Sequence, residues 1–283
     1  MNVRETHSAL LSRLLPDDAP GELDVRSGQF HDVVIGADRV VCLPRTRAAA
    51  GRLPERAAVL SALAGLDLGC RTPEPLDRGD GEVPFLVLSR IPGEPLRADV
   101  LGDAAVADAV AAQYAALLAG LARAGSDASV RGLVPVAPED QWSRFADGVR
   151  TELFPLMSGD GRLRAGRELA ALDGLPHRTG AVVHGDLGAE NVLWEWRDGS
   201  PHLAGVLDWD EVSLGDRAED LAAVGAGYGP GFLARLLGRI DDEDPGLGVR
   251  IAAVRGTFAL QQALFAVRDG DEDELADGLA GYR

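Results

Sequence analysis

The chain contains no lysine. Its 28 basic residues are all arginine and face 45 acidic ones, which gives a net charge of −17 and an isoelectric point of about 4.6. This balance disfavours a nucleic-acid partner, whose phosphate backbone needs a basic patch. The acidic excess instead favours attraction of a cationic small molecule. Cysteine is nearly absent. Cys42 and Cys70 cannot build a disulfide framework or a cysteine-based zinc site, so a reducing, cytoplasmic setting is expected. Long hydrophobic runs are missing too. Nowhere do roughly 18 apolar residues follow one another, so no membrane partner is expected. The charged start, with Arg4, Glu5, Arg13, Asp17 and Asp18, does not read as a signal peptide. What is present is ordinary globular material, 46% hydrophobic and 26% charged over 283 residues. That length lies near the size at which a single core divides, so one monomeric molecule of two lobes is expected.

No internal repeat or low-complexity tract interrupts the chain. The first 90 residues read as strands with one helix. Strand candidates lie at 23–26, 32–35 and 39–43, and Pro44 ends the third because it cannot donate to a ladder. A helix is expected over residues 54–64, with Pro54 at its first position, Gly65 at its C-cap, and Glu55, Val59 and Leu63 on one face. A buried strand at 84–88 leads to the connector Ser89-Arg90-Ile91. Beyond it the chain is mainly helical. Asp103 is the expected cap of a helix carrying Val106, Val110, Tyr114, Leu117 and Leu121, and further helices are expected at 138–157, 162–172, 247–267 and 272–279. A strand-rich island breaks this pattern: Ala181-Val182-Val183, then a hairpin of 192–194 and 203–207 around Arg197-Asp198-Gly199-Ser200. The fold class is therefore α+β, with a β-rich N-terminal lobe (1–91) and a larger helical lobe (92–283).

The polar residues that need explaining sit at the ends of those island strands. The chain reads His184-Gly185-Asp186-Leu187-Gly188-Ala189-Glu190-Asn191 and, one hairpin later, Asp208-Trp209-Asp210. Transfer of a phosphoryl group to an alcohol needs a carboxylate to take the hydroxyl proton and hard oxygen ligands for Mg²⁺. An Asp followed five residues later by Asn, and then by an Asp after the next hairpin, has the order of a kinase catalytic loop and its metal-binding Asp. Asp186 is the expected base, and Asn191 and Asp208 are the expected Mg²⁺ ligands. Taken singly, Asp186 and Asn191 fit Asx-turns equally well. His184 is read as a brace for the loop, and Asp216 and Asp220 as structural, Asp216 as an N-cap. Two acidic groups are candidate contacts for a cationic acceptor: Asp210 with Glu211, and Asp271 with Glu274 ahead of the last helix. In the latter group a solvated helix start is the alternative.

These motifs resemble the signatures of the aminoglycoside phosphotransferase superfamily, which has a protein-kinase-like fold. Further segments are similar to its viomycin and capreomycin phosphotransferase branch. They are Glu5-Thr6-His7, Gly28-Gln29-Phe30-His31, Arg45-Thr46-Arg47-Ala48-Ala49, Thr151-Glu152-Leu153-Phe154-Pro155-Leu156-Met157, Gly256-Thr257-Phe258-Ala259-Leu260-Gln261-Gln262-Ala263-Leu264 and Ala280-Gly281-Tyr282-Arg283. The resemblance covers nearly the whole chain. It implies ATP or GTP as co-substrate and a hydroxyl of a cationic cyclic-peptide antibiotic, preferably a serine hydroxyl, as acceptor. It also implies that the Ser27–Gly28 loop covers the phosphates and that Ser89 and Ile91 meet the purine. One position departs from the pattern. Where related enzymes carry a Lys or Arg on the third strand, this chain has Cys42, so Arg45 or Arg47 is expected to take over, paired with Glu55. Three other readings are open: a metabolite kinase of the same fold, a pseudokinase because of Cys42, and a haloacid-dehalogenase-type phosphatase using Asp208 as nucleophile in Asp208-Trp209-Asp210-Glu211-Val212.

Overall fold

The computed structural model describes residues 3–28, 30–240 and 244–283. The described strands are β1 (Asp24–Ser27), β2 (His31–Ile35), β3 (Arg39–Pro44), β4 (Pro75–Gly79), β5 (Phe85–Ser89), β6 (Glu94–Pro95), β7 (Ala181–Val183), β8 (Val192–Arg197), β9 (Ser200–Val206) and β10 (Ser213–Gly215). The chain forms two compact units. Met1–Val134 with Glu190–Asp210 make the first, and Pro135–Ala189 with Glu211–Arg283 make the second.

In the first unit, β1 to β5 form an antiparallel sheet in the order β1-β2-β3-β5-β4. Side chains alternate across a pleated strand. Val34, Val41, Leu43, Phe85 and Val87 pack with Leu11, Leu14 and Leu15 in one core cluster. Cys42, between Val41 and Leu43, therefore points to the opposite face. The helix Arg47–Ala64 contacts β3 and β5. It starts seven residues earlier than expected. Thr46 caps it by accepting the Ala49 N–H at 3.1 Å, and Pro54 lies inside the helix rather than at its first position. A proline there removes one i→i−4 bond, and the burial of Ala49, Leu53, Leu60 and Leu63 holds the helix through it. The edge strand β4 was not expected, because its Pro75, Asp77 and Arg78 are not strand formers.

The first unit extends past residue 91, where the connector after β5 put the lobe boundary. β6 pairs with β8 through Glu94↔Trp194 and Pro95↔Leu193, and β8 pairs with β9. Arg71 N–H donates to Ala204 O at 3.1 Å, and Val206 N–H returns a bond to Arg71 O at 3.0 Å. A Cβ at position 205 would come within 2.6 Å of Arg71 O, so Gly205 lets these backbones run side by side. The helix Ala104–Ala124, capped by Asp103 as expected, is tied to β9 by Gln113. Its amide donates to Pro201 O and accepts the Leu203 N–H, both at 2.8 Å. Such bonds join segments about 90 residues apart and leave no trace in local composition. By length and hydropathy this helix could cross a membrane, yet its Val110, Ala111, Tyr114, Leu117 and Leu121 are buried within the fold.

In the second unit β7 pairs with β10, and most of the remaining elements are helices. Val149, Leu153, Leu169, Leu260, Leu264 and Tyr282 fill its core. The single helix expected over 138–157 is a helix Gln141–Gly148, a π turn Val149–Leu153 and a 3₁₀ turn Phe154–Leu156. The helix expected over 247–267 breaks at Thr257 into Leu247–Gly256 and Phe258–Asp269.

Candidate active site

The second unit presents the Asp186 loop. After β7 the chain turns through Gly185, whose φ of +89° suits glycine, and a Cβ there would lie 2.7 Å from Glu211 O. The lack of a side chain thus lets the backbone of Glu211 close against the loop. His184 is fully buried, and its Nδ1 accepts the Asp186 N–H at 3.2 Å. Asp220, 1% exposed, accepts the N–H groups of His184 and Gly185. Burial pushes the Asp220 carboxyl up to about 7, opposed by those two N–H donors and reinforced by the charge of Asp186. Asp186 itself is exposed. Asp216 accepts the Ala218 N–H at 3.0 Å and pairs with buried Arg250 at 2.5 Å, so it anchors the start of the helix Ala218–Leu237. Asp271 caps the helix Glu272–Gly278 by accepting the Glu274 N–H at 3.0 Å, and the Glu274 carboxylate is hydrogen-bonded to Gln262.

The first unit carries Asn191 and Asp208 at the open end of the β8–β9 hairpin. The ladder runs to Val192↔Val206, and Leu207 N–H then donates to Asn191 O at 2.8 Å. Asn191 and Asp208 are thereby brought to one end of one hairpin, where both offer hard oxygens. Asp208 is exposed and has φ +56°, a left-handed backbone rare for a residue other than glycine. Buried Trp209 fixes the turn by donating its indole N–H to Val206 O at 2.9 Å. Two oxygens from an Asn and an Asp suit Mg²⁺, which is held by few protein ligands and completes its shell with water and phosphate. Among the described residues no cluster of three His, Cys, Asp or Glu could hold a metal unaided.

Beside this hairpin end lies a charge cluster that the sequence reading did not find. Arg56 Nε meets Asp210 Oδ1 at 2.7 Å, and the two side chains are 18% and 17% exposed. Burial raises the Cys42 thiol, and Arg56 beside it pulls it back part of the way, while the charges of Asp210 and Asp208 raise it further. His31 of β2 is lowered to about 4 by burial and by Arg56 and Arg52. Glu55, expected on the inward face of the helix, is exposed. The inward polar residue is its neighbour Arg56, which continues the spacing Ala49, Leu53, Arg56, Leu60, Leu63. That spacing was the available signal, hidden by placing the helix start at Pro54.

The other expected nucleotide contacts are ordered by their own partners. Ser27 Oγ donates to Asp32 at 2.7 Å, Gly28 N–H donates to His31 O at 2.9 Å, and Arg45 Nη1 donates to Gly28 O at 2.7 Å. Arg45, expected to contact the phosphates with Glu55 as its partner, instead braces this turn. Gln29 in that turn lies outside the described residues. Ser89 N–H bonds Glu74 O and Arg90 N–H bonds Asp38 O, while Ile91 is buried against Leu193 and Ala204.

The model of the phosphotransferase enzyme family matches residues 24–249 of the chain. This chain belongs to that family. It is 65% identical to viomycin phosphotransferase of Streptomyces vinaceus over the full length of both proteins. Its fold is that of kinase-like antibiotic phosphotransferases. The GDP complex of aminoglycoside 2′-phosphotransferase-IIIa superposes with a TM-score of 0.84 at 18% identity, covering 99% of this chain and 97% of that one. Macrolide 2′-phosphotransferase type I does so with 0.74 at 23%, covering 100% and 98%. A phosphotransferase with this two-lobed α+β fold is not a haloacid-dehalogenase-type hydrolase. Asp208 follows β9 of an antiparallel hairpin rather than the first strand of a doubly wound parallel sheet.

Proposed function

We propose that the protein transfers the γ-phosphoryl group of ATP or GTP to a hydroxyl, preferably a serine hydroxyl, of viomycin- or capreomycin-type cyclic peptides, and so confers resistance to them. The observation that carries this reading is the 65% identity to viomycin phosphotransferase along the whole of both chains. Asp186, Asn191 and Asp208 add the chemistry. Asp186, exposed on a loop held by His184 and Asp220, orients the acceptor hydroxyl and takes its proton as the O–P bond forms. Asn191 and Asp208 would hold Mg²⁺, which supplies charge neutralisation on the nucleotide's phosphate oxygens. The Ser27–Gly28 turn, braced by Arg45, covers the phosphates, and the Ser89–Ile91 connector meets the purine. The net charge of −17 suits a polycationic acceptor, and exposed Glu211, whose backbone lies against Gly185 of the Asp186 loop, is the candidate acidic contact for it.

Incubation with viomycin or capreomycin and MgATP or MgGTP, followed by mass spectrometry, tests this directly. The expected product is antibiotic carrying one phosphoryl group, with fragmentation placing it on a serine side chain. Unmodified antibiotic, with phosphorylation of a small amino alcohol instead, would transfer the assignment to a metabolite kinase.

A further inference from the structure

We propose that Arg56 is a nucleotide-contacting residue: clamped by Asp210, its guanidinium grips phosphates of the bound nucleoside triphosphate from the helix Arg47–Ala64, in place of a cation on β3. The inference rests on the nucleotide-dependent reading above.

Cys42 on β3 is 2% exposed and uncharged, so this position supplies no cation to an anionic ligand. The guanidinium beside Cys42 comes instead from the helix on that face of the sheet. A buried guanidinium is costly unless its five N–H donors find acceptors. Asp210 satisfies Nε at 2.7 Å, while Nη1 is buried and without a hydrogen-bond partner. His31 Nε2, on the neighbouring strand β2, is also buried without a partner. Two orphaned polar atoms in the neighbourhood of one fixed charge describe a place prepared for an acceptor-rich anion. Cys42 lies within electrostatic reach of Arg56, Asp210 and Asp208 together, so the unsatisfied guanidinium belongs to the same neighbourhood as the carboxylate expected to hold Mg²⁺. A planar fork can hold a carboxylate with one edge and a phosphate with the other, which a compact ammonium cannot do across the same span. Asp210, two residues after Asp208, ties the guanidinium to the turn that places that carboxylate.

The test compares ADP with adenosine, which share the base and ribose and differ in the phosphates. Dissociation constants for both are measured by calorimetry on wild type, Arg56→Gln and Arg56→Lys. Loss of a charge-assisted phosphate contact should weaken ADP about 10- to 100-fold in Arg56→Gln and leave adenosine within two-fold. Arg56→Lys keeps the pairing with Asp210, and with it the fold. It should still lose at least three-fold in the ratio of ADP to adenosine affinity, because one ammonium cannot span both partners. An equal loss of ADP and adenosine in Arg56→Gln would reduce Arg56 to a packing role. If that variant does not fold, an unchanged ratio in Arg56→Lys overturns the proposal by itself. Wild-type protein that binds neither ADP nor GDP would instead remove the nucleotide-dependent reading on which the inference rests.

Discussion

Asp220 holds the backbone ahead of Asp186 with both carboxylate oxygens, Oδ2 accepting the N–H of His184 and Oδ1 that of Gly185, each at 3.0 Å. The exposed Asp186 thus stands on a peptide segment fixed from the interior. Replacing one of those oxygens by an amide NH₂ sets donor against donor. Asp220→Asn should cost about 1–3 kcal/mol of stability and lower kcat more than either KM, since the loop that aims the base is loosened. Thermal melts and steady-state kinetics check both, and a variant with wild-type kcat would separate the clamp from the chemistry.

The same residue predicts a pH dependence. Burial raises the folded-state pKa of Asp220 from 3.8 to about 7. The folded state therefore binds a proton more tightly than the unfolded chain. The resulting stabilisation is fully present below about pH 4 and is lost as pH rises towards 7. Glu219, raised from 4.5 to about 7 chiefly by burial, opposed by its bond to Gln141 and reinforced by the charges of Asp220 and Asp216, acts in the same direction. Unfolding free energies measured from pH 4 to 8 should show this decline, and Asp220→Asn should remove part of it, with Glu219 keeping the rest. An identical slope in variant and wild type would mean that Asp220 is already ionised in the folded protein at low pH.

Loss of the base should be selective. Asp186→Asn keeps the shape of the loop and removes the proton acceptor, so kcat should fall about 10²–10⁴-fold with nucleotide affinity nearly unchanged. More than a tenth of wild-type kcat would take Asp186 out of the mechanism.

Metal dependence should divide the two hairpin-end residues. Asp208→Ala removes a charged oxygen ligand and should abolish turnover at any Mg²⁺ concentration. Asn191→Ala removes a neutral one that water can replace, and should raise the Mg²⁺ needed for half-maximal rate. A Mg²⁺ titration of both variants reads this out, and turnover by Asp208→Ala at saturating Mg²⁺ would contradict the assignment.

The legible parts of this chain were those encoded by short-range chemistry. Asp198-Gly199, with φ values of +50° and +76°, turns the β8–β9 hairpin where it was expected, and Asp103 caps the long helix. The candidate loop of Asp186 and the hairpin end of Asn191 and Asp208 were visible because their residues are close in sequence. What escaped depended on helix phase and distant pairing. Pro54 looked like a helix start, and that shifted the inward position by one residue, from Arg56 to Glu55. The Arg56–Asp210 pair joins residues 154 positions apart, and the Gln113 bonds to β9 redraw the boundary placed at residue 91. No window of local sequence contains either.

The pairing of Asp210 also sharpens the account of the acceptor. Asp210 and Glu211 were expected to attract the antibiotic together. Asp210 is largely buried and paired with Arg56 at 2.7 Å, whereas Glu211 is exposed to an incoming ligand. The two carboxylates should therefore separate in kinetics. Glu211→Gln should raise the antibiotic KM and leave the nucleotide KM unchanged, whereas Asp210→Asn, by releasing Arg56, should raise the nucleotide KM first. Asp271 and Glu274, tied up in a helix cap and a bond to Gln262, should contribute less. Steering by exposed charge is screened over a Debye length of about 8 Å at physiological ionic strength. For the wild type, kcat/KM for the antibiotic should then fall steeply with added salt while kcat stays level, and Glu211→Gln should flatten that dependence. Measurement across a salt series decides the matter. A wild-type kcat/KM that is indifferent to salt would mean that the acceptor is not recognised by charge, and would favour a neutral metabolite as the substrate.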